Sequence, residues 1–500
     1  MLPTILDAAQ RDPLLPFRAA LLYLGSRRRV APQEVSEQNT SNITARLDRL
    51  PAGRELWRLV VLISLGACFE IYDLLQTAYL TPGLVRDRIF KDATHGIFGL
   101  TDQAMFASIT FAGLFVGTIL FAPVADRFGR RTIFTLSLLW YTAASVGMGL
   151  QGTALGVDLW RFVGGVGIGV EIVTIDAYVS ELAPKRVRGR AFAVSQFVQF
   201  LAVPVLAFAS WALVPRAPLG VAGWRWVVFL GSTGAVAVWL IRRRLPESPR
   251  WLAQHGRVEE AGRVVTEIES RIEARLKRKL PEPETEKIEG HINVEGHSAD
   301  VSAEIWSPTF RGRTLMLVVF NFFQTIGFYG FGNWVPTLIA AQGATVTRSL
   351  EYSAVIAVAY PVGPLLCTLI ADRVERKWQI VTAAIVTATF GLLFARQTAP
   401  LALILCGVVI TLSNNLLSYS YHAYQSELYP TSIRARAVGF VYSWSRLSTA
   451  FTSLLIGFFL ADFGTKGVFA FIAGSMAVCV ILIGLFGPRT GGLALEEIAG

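Results

Sequence analysis

Asp126-Arg127-Phe128-Gly129-Arg130-Arg131 returns later in the chain as Asp372-Arg373-Val374-Glu375-Arg376-Lys377. Glu181-Leu182-Ala183-Pro184, followed by Arg188 and Arg190-Ala191, returns as Glu427-Leu428-Tyr429-Pro430, Arg434 and Arg436-Ala437. Both pairs stand 246 residues apart (372 less 126, and 427 less 181). Two unrelated motifs that keep one separation imply a duplicated chain, and both motifs are basic and flanked by long apolar runs.

The composition says what those runs are. The 500 residues are 53% hydrophobic and only 16% charged, with a mean hydropathy of +0.48. Soluble domains carry ~25% charged residues. A soluble fold cannot hide this much apolar surface, so the chain reads as an all-α polytopic membrane protein. Twelve runs of the ~20 apolar residues a span requires begin near Trp57, Ala104, Thr132, Leu159, Ala191, Trp224, Leu315, Tyr352, Trp378, Leu401, Ala437 and Val468. The stretch from Pro13 to Gly25 is too short to span and is expected at the interface or disordered. Cys68, Cys367, Cys406 and Cys479 all sit in apolar runs and read as small hydrophobes, not disulfides.

The net charge of +10 is topological. Arg127, Arg130 and Arg131, then Lys185 to Arg190, then Arg373, Arg376 and Lys377, then Arg434 and Arg436 fill one alternate set of loops. Basic loops stay in the cytoplasm, so this set is cytoplasmic and so are both termini. Short membrane loops build no basic groove, which excludes nucleic acid as a partner. The expected divisions are a cytoplasmic segment over 1–56, a six-helix half over 57–241, a cytoplasmic loop with surface helices over 242–313, a second six-helix half over 314–486 and a tail over 487–500. Val258 to Lys279 is the helical part of that loop, and Pro281 to Asp300 is polar and mobile. Twin six-helix halves suit a carrier that rocks around a midplane site.

The chain resembles the major facilitator superfamily, near its sugar-porter-like branch. Besides the repeated basic motif, the resemblance rests on Gly165-Val166-x-x-Gly169 with Tyr178, Glu181 and Arg188, on Leu245-Pro246-Glu247-Ser248-Pro249-Arg250-Trp251, and on the tail Pro488-x-Thr490-x-Gly492-x-x-Leu495-Glu496-Glu497. It covers Trp57 to the C-terminus and implies transport by alternating access, in a bacterial inner membrane and as a monomer. The seventh span departs from sugar porters. Their Gln-Gln-x-Ser-Gly-x-Asn run is Gln324-Thr325-Ile326-Gly327 in a setting of Phe323, Phe328 and Tyr329 here. Gln196 matches a sugar-contacting Gln of that branch, but the Gly that follows it there is Ala202. Tyr329-Gly330, Trp334-Val335-Pro336 and Phe69-Glu70-x-x-Asp73 resemble bacterial metabolite:proton symporters related to nicotinate carriers and synaptic-vesicle glycoproteins. The resemblance therefore implies a small organic or aromatic acid as substrate together with protons, with a sugar:proton symporter or a proton-driven efflux antiporter as alternatives. No Gly lies between Gly189 and Gly220, whereas drug antiporters of this superfamily carry a glycine-rich fifth span, so uptake is favoured.

A charge at mid-membrane costs ~2.5–3.5 kcal/mol on insertion scales, so those that remain are functional or paired. Glu70, Asp73, Glu171, Asp176 and Arg446 lie well inside spans. Glu70 and Asp73, three residues apart, share a helix face; two carboxylates in one low-dielectric hollow resist ionising together, which suits proton coupling. Fixed ion pairing is the other reading. Glu171 and Asp176 point apart on the fourth helix and are coupling candidates or partners of a neighbouring cation. Arg161 matches a family arginine linked to coupling, or snorkels to the headgroups. Arg446, ~15 Å into the eleventh span at ~1.5 Å per residue, can clamp a substrate carboxylate with two parallel hydrogen bonds, or neutralise one of the buried acids.

In this superfamily the first, fourth, seventh and tenth helices line the cavity. The resemblance thus offers Gln196, Asn321, Gln324, Tyr329, Asn333, Trp334, Asn415, Tyr419 and Arg446 as substrate-binding candidates. Packing is the other reading for the aromatics. Asn414, Tyr421 and Tyr424 share the tenth span, and His422 reads as a proton relay or an interfacial histidine. Asp126, Arg127, Arg130, Glu181, Arg188, Glu247, Arg250, Asp372, Arg373, Glu427 and Arg434 read as a cytoplasmic latch of ion pairs, with Arg127 and Arg373 reaching Glu181 and Glu427. Exposed pairs are worth only ~0–1 kcal/mol each, so a network is needed and can break every cycle. Gly164, Gly165, Gly167 and Gly169 make a packing surface, and Pro204, Pro336, Pro361 and Pro364 are bending points. No nucleophile–base pair or metal-ligand cluster is legible, so no enzyme, cofactor or metal is expected.

Overall fold

In a bilayer every backbone N–H must be satisfied along its own axis, and long apolar runs do this only as helices. The computed structural model describes residues 42–91, 101–128, 130–184, 187–242, 245–283, 305–370, 373–429 and 433–490. All regular structure among them is helical. The first half holds α1 (Arg54–Arg86), α2 (Asp102–Phe128), α3 (Arg130–Gly149), α4 (Ala154–Leu182), α5 (Arg188–Phe200) continued by α6 (Ala202–Leu213), and α7 (Gly223–Arg242). Two helices follow, α8 (Pro249–Gln254) and α9 (Val258–Leu276). The second half holds α10 (Arg311–Gly332), α11 (Val335–Ala341), α12 (Val346–Ala357) continued by α13 (Ala359–Ile370), α14 (Arg376–Phe394), α15 (Pro400–Glu427) and α16 (Arg434–Ile481). Among the described residues, seven helices are long and apolar enough to cross a membrane. The Pro13–Gly25 stretch and most of 281–300 lie outside the described residues.

α16 is assigned 48 residues. As one rod it would run ~72 Å, more than twice a ~30 Å hydrocarbon core. It does not, because Gly464 (φ 63, ψ −166) breaks it. Only glycine enters that backbone region without strain. Phe459 and Phe471 stack with ring centroids 4.8 Å apart, so the chain doubles back at Gly464 into two legs. The runs expected from Ala437 and from Val468 fall one on each leg.

The duplication reappears in the packing. α2 packs across the molecule on α16, while α5 and α6 pack on α13 and α12. Adding 246 to α2 gives 348–374, which is α12–α13; subtracting 246 from the start of α16 gives 188, the start of α5. The two contacts are therefore one contact, used twice about a pseudo-two-fold axis.

Small residues set the closest crossing. A Cβ on Gly113 or Gly117 of α2 would sit 2.4 Å from the Phe162 carbonyl oxygen or 2.1 Å from that of Val166. A Cβ on Gly165 or Gly169 of α4 would sit 2.4 Å from the Thr110 or 2.2 Å from the Leu114 carbonyl oxygen. These obstacles are backbone and cannot step aside. Gly167 faces Trp140 instead, and Gly164 meets only Ala144. Gly117→Ala is expected to cost ~1–3 kcal/mol through overpacking. Gly474→Ala, where nothing lies within 4 Å, serves as the control. Thermal unfolding of the purified protein in detergent checks this, and equal midpoints for the two variants would remove the crossing from the stability of the fold.

The end of the bundle that carries the basic motifs is tied by surface helices. Ile43, Leu47 and Leu50 pack with Val265, Ile268 and Ile272 of α9. Glu269 of α9 bridges Arg46 at 2.6 Å and Arg49 at 2.6 Å. Burial alone pushes the Glu269 carboxyl up, but the hydrogen bonds and charges of the two arginines outweigh it and hold it below the usual carboxylate range. Arg250 pairs with Asp48 at 2.9 Å, and Arg275 with Glu55 at 2.5 Å. On the other half, Lys377 Nζ donates to the Gly487 carbonyl at 2.7 Å and the Tyr424 hydroxyl to that of Pro488 at 2.8 Å, which fixes the start of the tail.

The prolines sit where helices break or start. Pro204 and Pro361 follow the α5–α6 and α12–α13 junctions, and Pro336 lies in the first turn of α11. Each lacks the N–H that would continue the preceding helix. Pro364 lies inside α13.

Candidate functional site

Five helices meet around a cavity of about 140 Å³. α1 contributes Glu70, α5 contributes Gln196, Gln199 and Phe200, and α10 contributes Gln324, Phe328 and Tyr329. α15 adds Ser418, Tyr421 and His422, and α16 adds Tyr442, Ser445 and Arg446. Away from the basic motifs the halves are shut together. Gln103 Nε2 donates to Thr337 Oγ1 at 2.8 Å, Gly457 abuts Ala104 and Trp334, and Phe200 meets Tyr360 edge-on at 5.8 Å.

Arg446 is the cation of this cavity. Its Nη2 donates to the Tyr442 hydroxyl at 2.9 Å and its Nη1 to that of Tyr329 at 3.5 Å. The guanidinium also lies 4.9 Å over the Tyr442 ring. Tyr442 is one turn before Arg446 on the same helix, so α16 itself presents the pair. Across the cavity the Glu70 carboxylate lies within electrostatic reach of Arg446. Phenols orient a guanidinium without neutralising it, so the compensating charge has to come from a carboxylate. Beside it, His422 Nδ1 lies 2.7 Å from the Ser418 carbonyl oxygen, which can only accept. The proton therefore sits on Nδ1, and Nε2 faces the Tyr421 hydroxyl at 3.3 Å.

Asp73 lies elsewhere. It is three residues from Glu70 but opens on a separate, tight pocket with Tyr141 and Ser145 of α3 and Ser232 of α7. Arg161 of α4 reaches it with Nη1 at 3.0 Å from Oδ2. Arg161 also donates to Thr110 Oγ1 at 2.9 Å, to Thr77 Oγ1 at 2.9 Å and to the Asp73 carbonyl at 2.5 Å. Ser145 Oγ donates to Asp73 Oδ1 at 2.8 Å, and Gln76 Nε2 bonds the same oxygen. The side chains are 1% and 8% exposed, so this is an ion pair sealed in the protein.

Several expectations need correcting. Glu70 and Asp73 do not share one hollow: the turn of α1 sends Glu70 into the large cavity and Asp73 towards α3, α4 and α7. Arg161 does not snorkel to headgroups, because it is clamped inward. Of the substrate candidates, Gln196, Gln324, Tyr329 and Arg446 line the cavity. Asn321 does not; it turns to Leu317 and Gln425. Asn333 and Trp334 are buried beyond the end of α10. Asn415 donates to the Tyr360 carbonyl at 3.2 Å, and Tyr419 is not among the lining residues. His422 faces the cavity. Gln199, Tyr442 and Ser445 are lining residues the sequence reading passed over, although Gln196–Gln199 and Tyr442–Arg446 have the i,i+3 and i,i+4 spacing that could have found them. The first, seventh and tenth spans line the cavity as expected, the fifth and eleventh join them through Gln196 and Arg446, and the fourth, also expected, contributes none of the lining residues.

At the basic end, Arg376 and not Arg373 pairs with Glu427, at 2.7 Å. Arg376 opens α14 beside the end of α15, whereas Arg373 is an exposed turn residue. Arg250 is engaged with Asp48, Glu247 accepts from the Ser248 amide at 3.1 Å, and Arg188 lies 3.5 Å from the Ala183 carbonyl. Glu181 is half-buried at the end of α4. The side chains of Asp126, Arg127, Arg130, Glu171, Asp176 and Arg434, and all of Asp372, lie outside the described residues.

Comparison with known proteins agrees with this architecture. The sugar (and other) transporter family matches over residues 59–500. A putative metabolite transport protein of Bacillus subtilis (strain 168) is 31% identical over 454 residues, covering 90% of this chain and 96% of that one. The niacin transporter of Acinetobacter baylyi is 26% identical over 459 residues, covering 91% and 99%. The E. coli xylose transporter in a partially occluded inward open conformation superposes with a TM-score of 0.70 at 17% identity, covering 88% of this chain and 100% of that one. This chain belongs to the sugar (and other) transporter family of the major facilitator superfamily, and is a multi-pass carrier of metabolites or sugars.

Proposed function

We propose that the protein takes up a small organic acid together with protons, by alternating access of two six-helix halves. In this reading it has twelve spans and both termini in the cytoplasm, and it works as a monomer in a bacterial inner membrane. The observation that carries the reading is Arg446, a guanidinium lining the cavity whose hydrogen bonds go to Tyr329 and Tyr442. A carboxylate offers that fork two acceptors and a compensating charge. Phe200, Phe328 and Tyr421 supply flat apolar walls, so an aromatic acid fits the lining well. Similarity to a niacin transporter supports the same class. Glu70 and Asp73 are the proposed proton-handling carboxylates, and Asp73 pairs with Arg161 at 3.0 Å. The ion pairs of Arg376–Glu427 and Arg250–Asp48 are the proposed latch at the cytoplasmic end.

The amides of Gln196, Gln199 and Gln324 in the same cavity favour a second reading, a sugar:proton symporter. Uptake into proteoliposomes under an imposed inward proton gradient decides between them. The panel is benzoate, nicotinate, succinate, xylose and glucose. Gradient-driven accumulation of a carboxylate and not of a sugar is expected. Accumulation of sugars alone would establish the second reading, and acid-stimulated loss of preloaded solute would establish efflux.

A further inference from the structure

We propose that Glu70 and the substrate carboxylate are rivals for Arg446, so that the cavity admits an organic anion only as Glu70 takes up a proton. The inference rests on the organic-acid reading above and adds its coupling rule. Glu70 and Arg446 are the carboxylate and the guanidinium among the described residues that line the cavity, on the facing helices α1 and α16. Glu70 lies within electrostatic reach of Arg446, and Tyr329 lies within reach of both. The hollow is small, about 140 Å³. Two carboxylates and one guanidinium in so small a low-dielectric space leave one negative charge uncompensated, which is costly. Protonating Glu70 removes that charge. An O–H bond forms on its carboxyl with a proton taken from the aqueous side, and the anion inherits the guanidinium. When the anion leaves, the proton leaves and Glu70 faces Arg446 again. Asp73 cannot play this part, because Arg161 and Ser145 occupy it in a different pocket.

The other titratable groups facing Glu70 across the cavity are Tyr329 of α10, Tyr421 and His422 of α15, and Tyr442 of α16; α5 presents only the amides Gln196 and Gln199. Phenols ordinarily titrate well above neutrality. His422 is the one competitor, and a variant isolates it.

The test is calorimetric titration of the purified full-length protein with benzoate, nicotinate and succinate at several pH values between about 6 and 8, where these probes stay largely ionised. Repeating each titration in buffers of different ionisation enthalpy counts the protons taken up. The wild type is expected to take up close to one proton per anion, with affinity rising as pH falls, up to about tenfold per pH unit. Glu70→Gln is expected to bind the same anion with no proton uptake and a flat pH profile. His422→Asn is expected to keep the wild-type slope. Glu70→Asp, which retains a titrating group, is expected to keep proton uptake and shows that loss of the slope is not general damage. If none of the three probes binds the wild type, the organic-acid reading falls and this inference with it. If a probe binds but the wild type takes up no proton, or Glu70→Gln keeps the slope, the inference alone is overturned.

Discussion

Asp73→Asn is expected to cost ~3–5 kcal/mol of stability and to stop uphill uptake while exchange of solute across the membrane continues. The stability term comes from Arg161. Its side chain is 1% exposed, and Asp73 is its ion-pair partner at 3.0 Å. Removing one member of a buried pair leaves the other charge uncompensated, which costs far more than the pair itself contributes. Neutral acceptors remain for the guanidinium in Thr77, Thr110 and two backbone carbonyls, so the helices stay in contact. The double variant Asp73→Asn, Arg161→Gln is therefore expected to recover much of the lost stability without recovering accumulation. Thermal unfolding of the wild type, both single variants and the double variant completes the cycle. A double variant as unstable as the sum of the singles would remove the pair from the account. Uphill uptake surviving in Asp73→Asn would remove Asp73 from coupling.

The second large effect concerns the substrate. Arg446→Gln is expected to weaken carboxylate binding by ~1.5–3 kcal/mol, on the order of tenfold to a hundredfold, as the loss of a charged hydrogen-bond donor implies. Arg446→Lys keeps the positive charge but loses the planar fork and its place over the Tyr442 ring. It is expected to bind at least as weakly as halfway to Arg446→Gln on a free-energy scale. Titration with the carboxylate that the wild type binds measures both. Normal affinity in Arg446→Lys would mean that a point charge suffices and that no two-pronged clamp exists.

Much of the fold was legible because a bilayer leaves few choices. Apolar runs of spanning length become helices, and the expected starts fall within a few residues of α1 to α5, α7, α10, α12 and α14 to α16. The repeated motifs gave a duplicated chain, and the packing shows the contact between its halves used twice. The break at Gly464 was harder to see, since α16 is apolar on both sides of it; the turn lies in one backbone angle that only glycine tolerates.

The cavity was half legible. Glu70, Gln196, Gln324, Tyr329 and Arg446 reach it, but Asn321, Asn333, Trp334, Asn415 and Tyr419 are no part of its lining. Polar character inside a span marks a residue that avoids lipid. It does not say whether the residue avoids lipid by facing a cavity or by bonding a neighbouring helix, as Asn321 and Asn415 do. Ion-pair partners were equally hidden. Arg373 and Arg376 look interchangeable in sequence, and only the start of α14 decides that Arg376 meets Glu427.

The order of residues determined by itself that this chain lives in a membrane, that it is a doubled unit, and which few charges it keeps there against a desolvation cost. Tertiary structure alone decided how those charges are shared: Asp73 with Arg161 in a sealed pocket, Glu70 with Arg446 in an open one. The reason is geometric. Residues three apart on a helix differ in direction by about 60°, and which neighbour waits in each direction is set by helices that the local sequence does not contain.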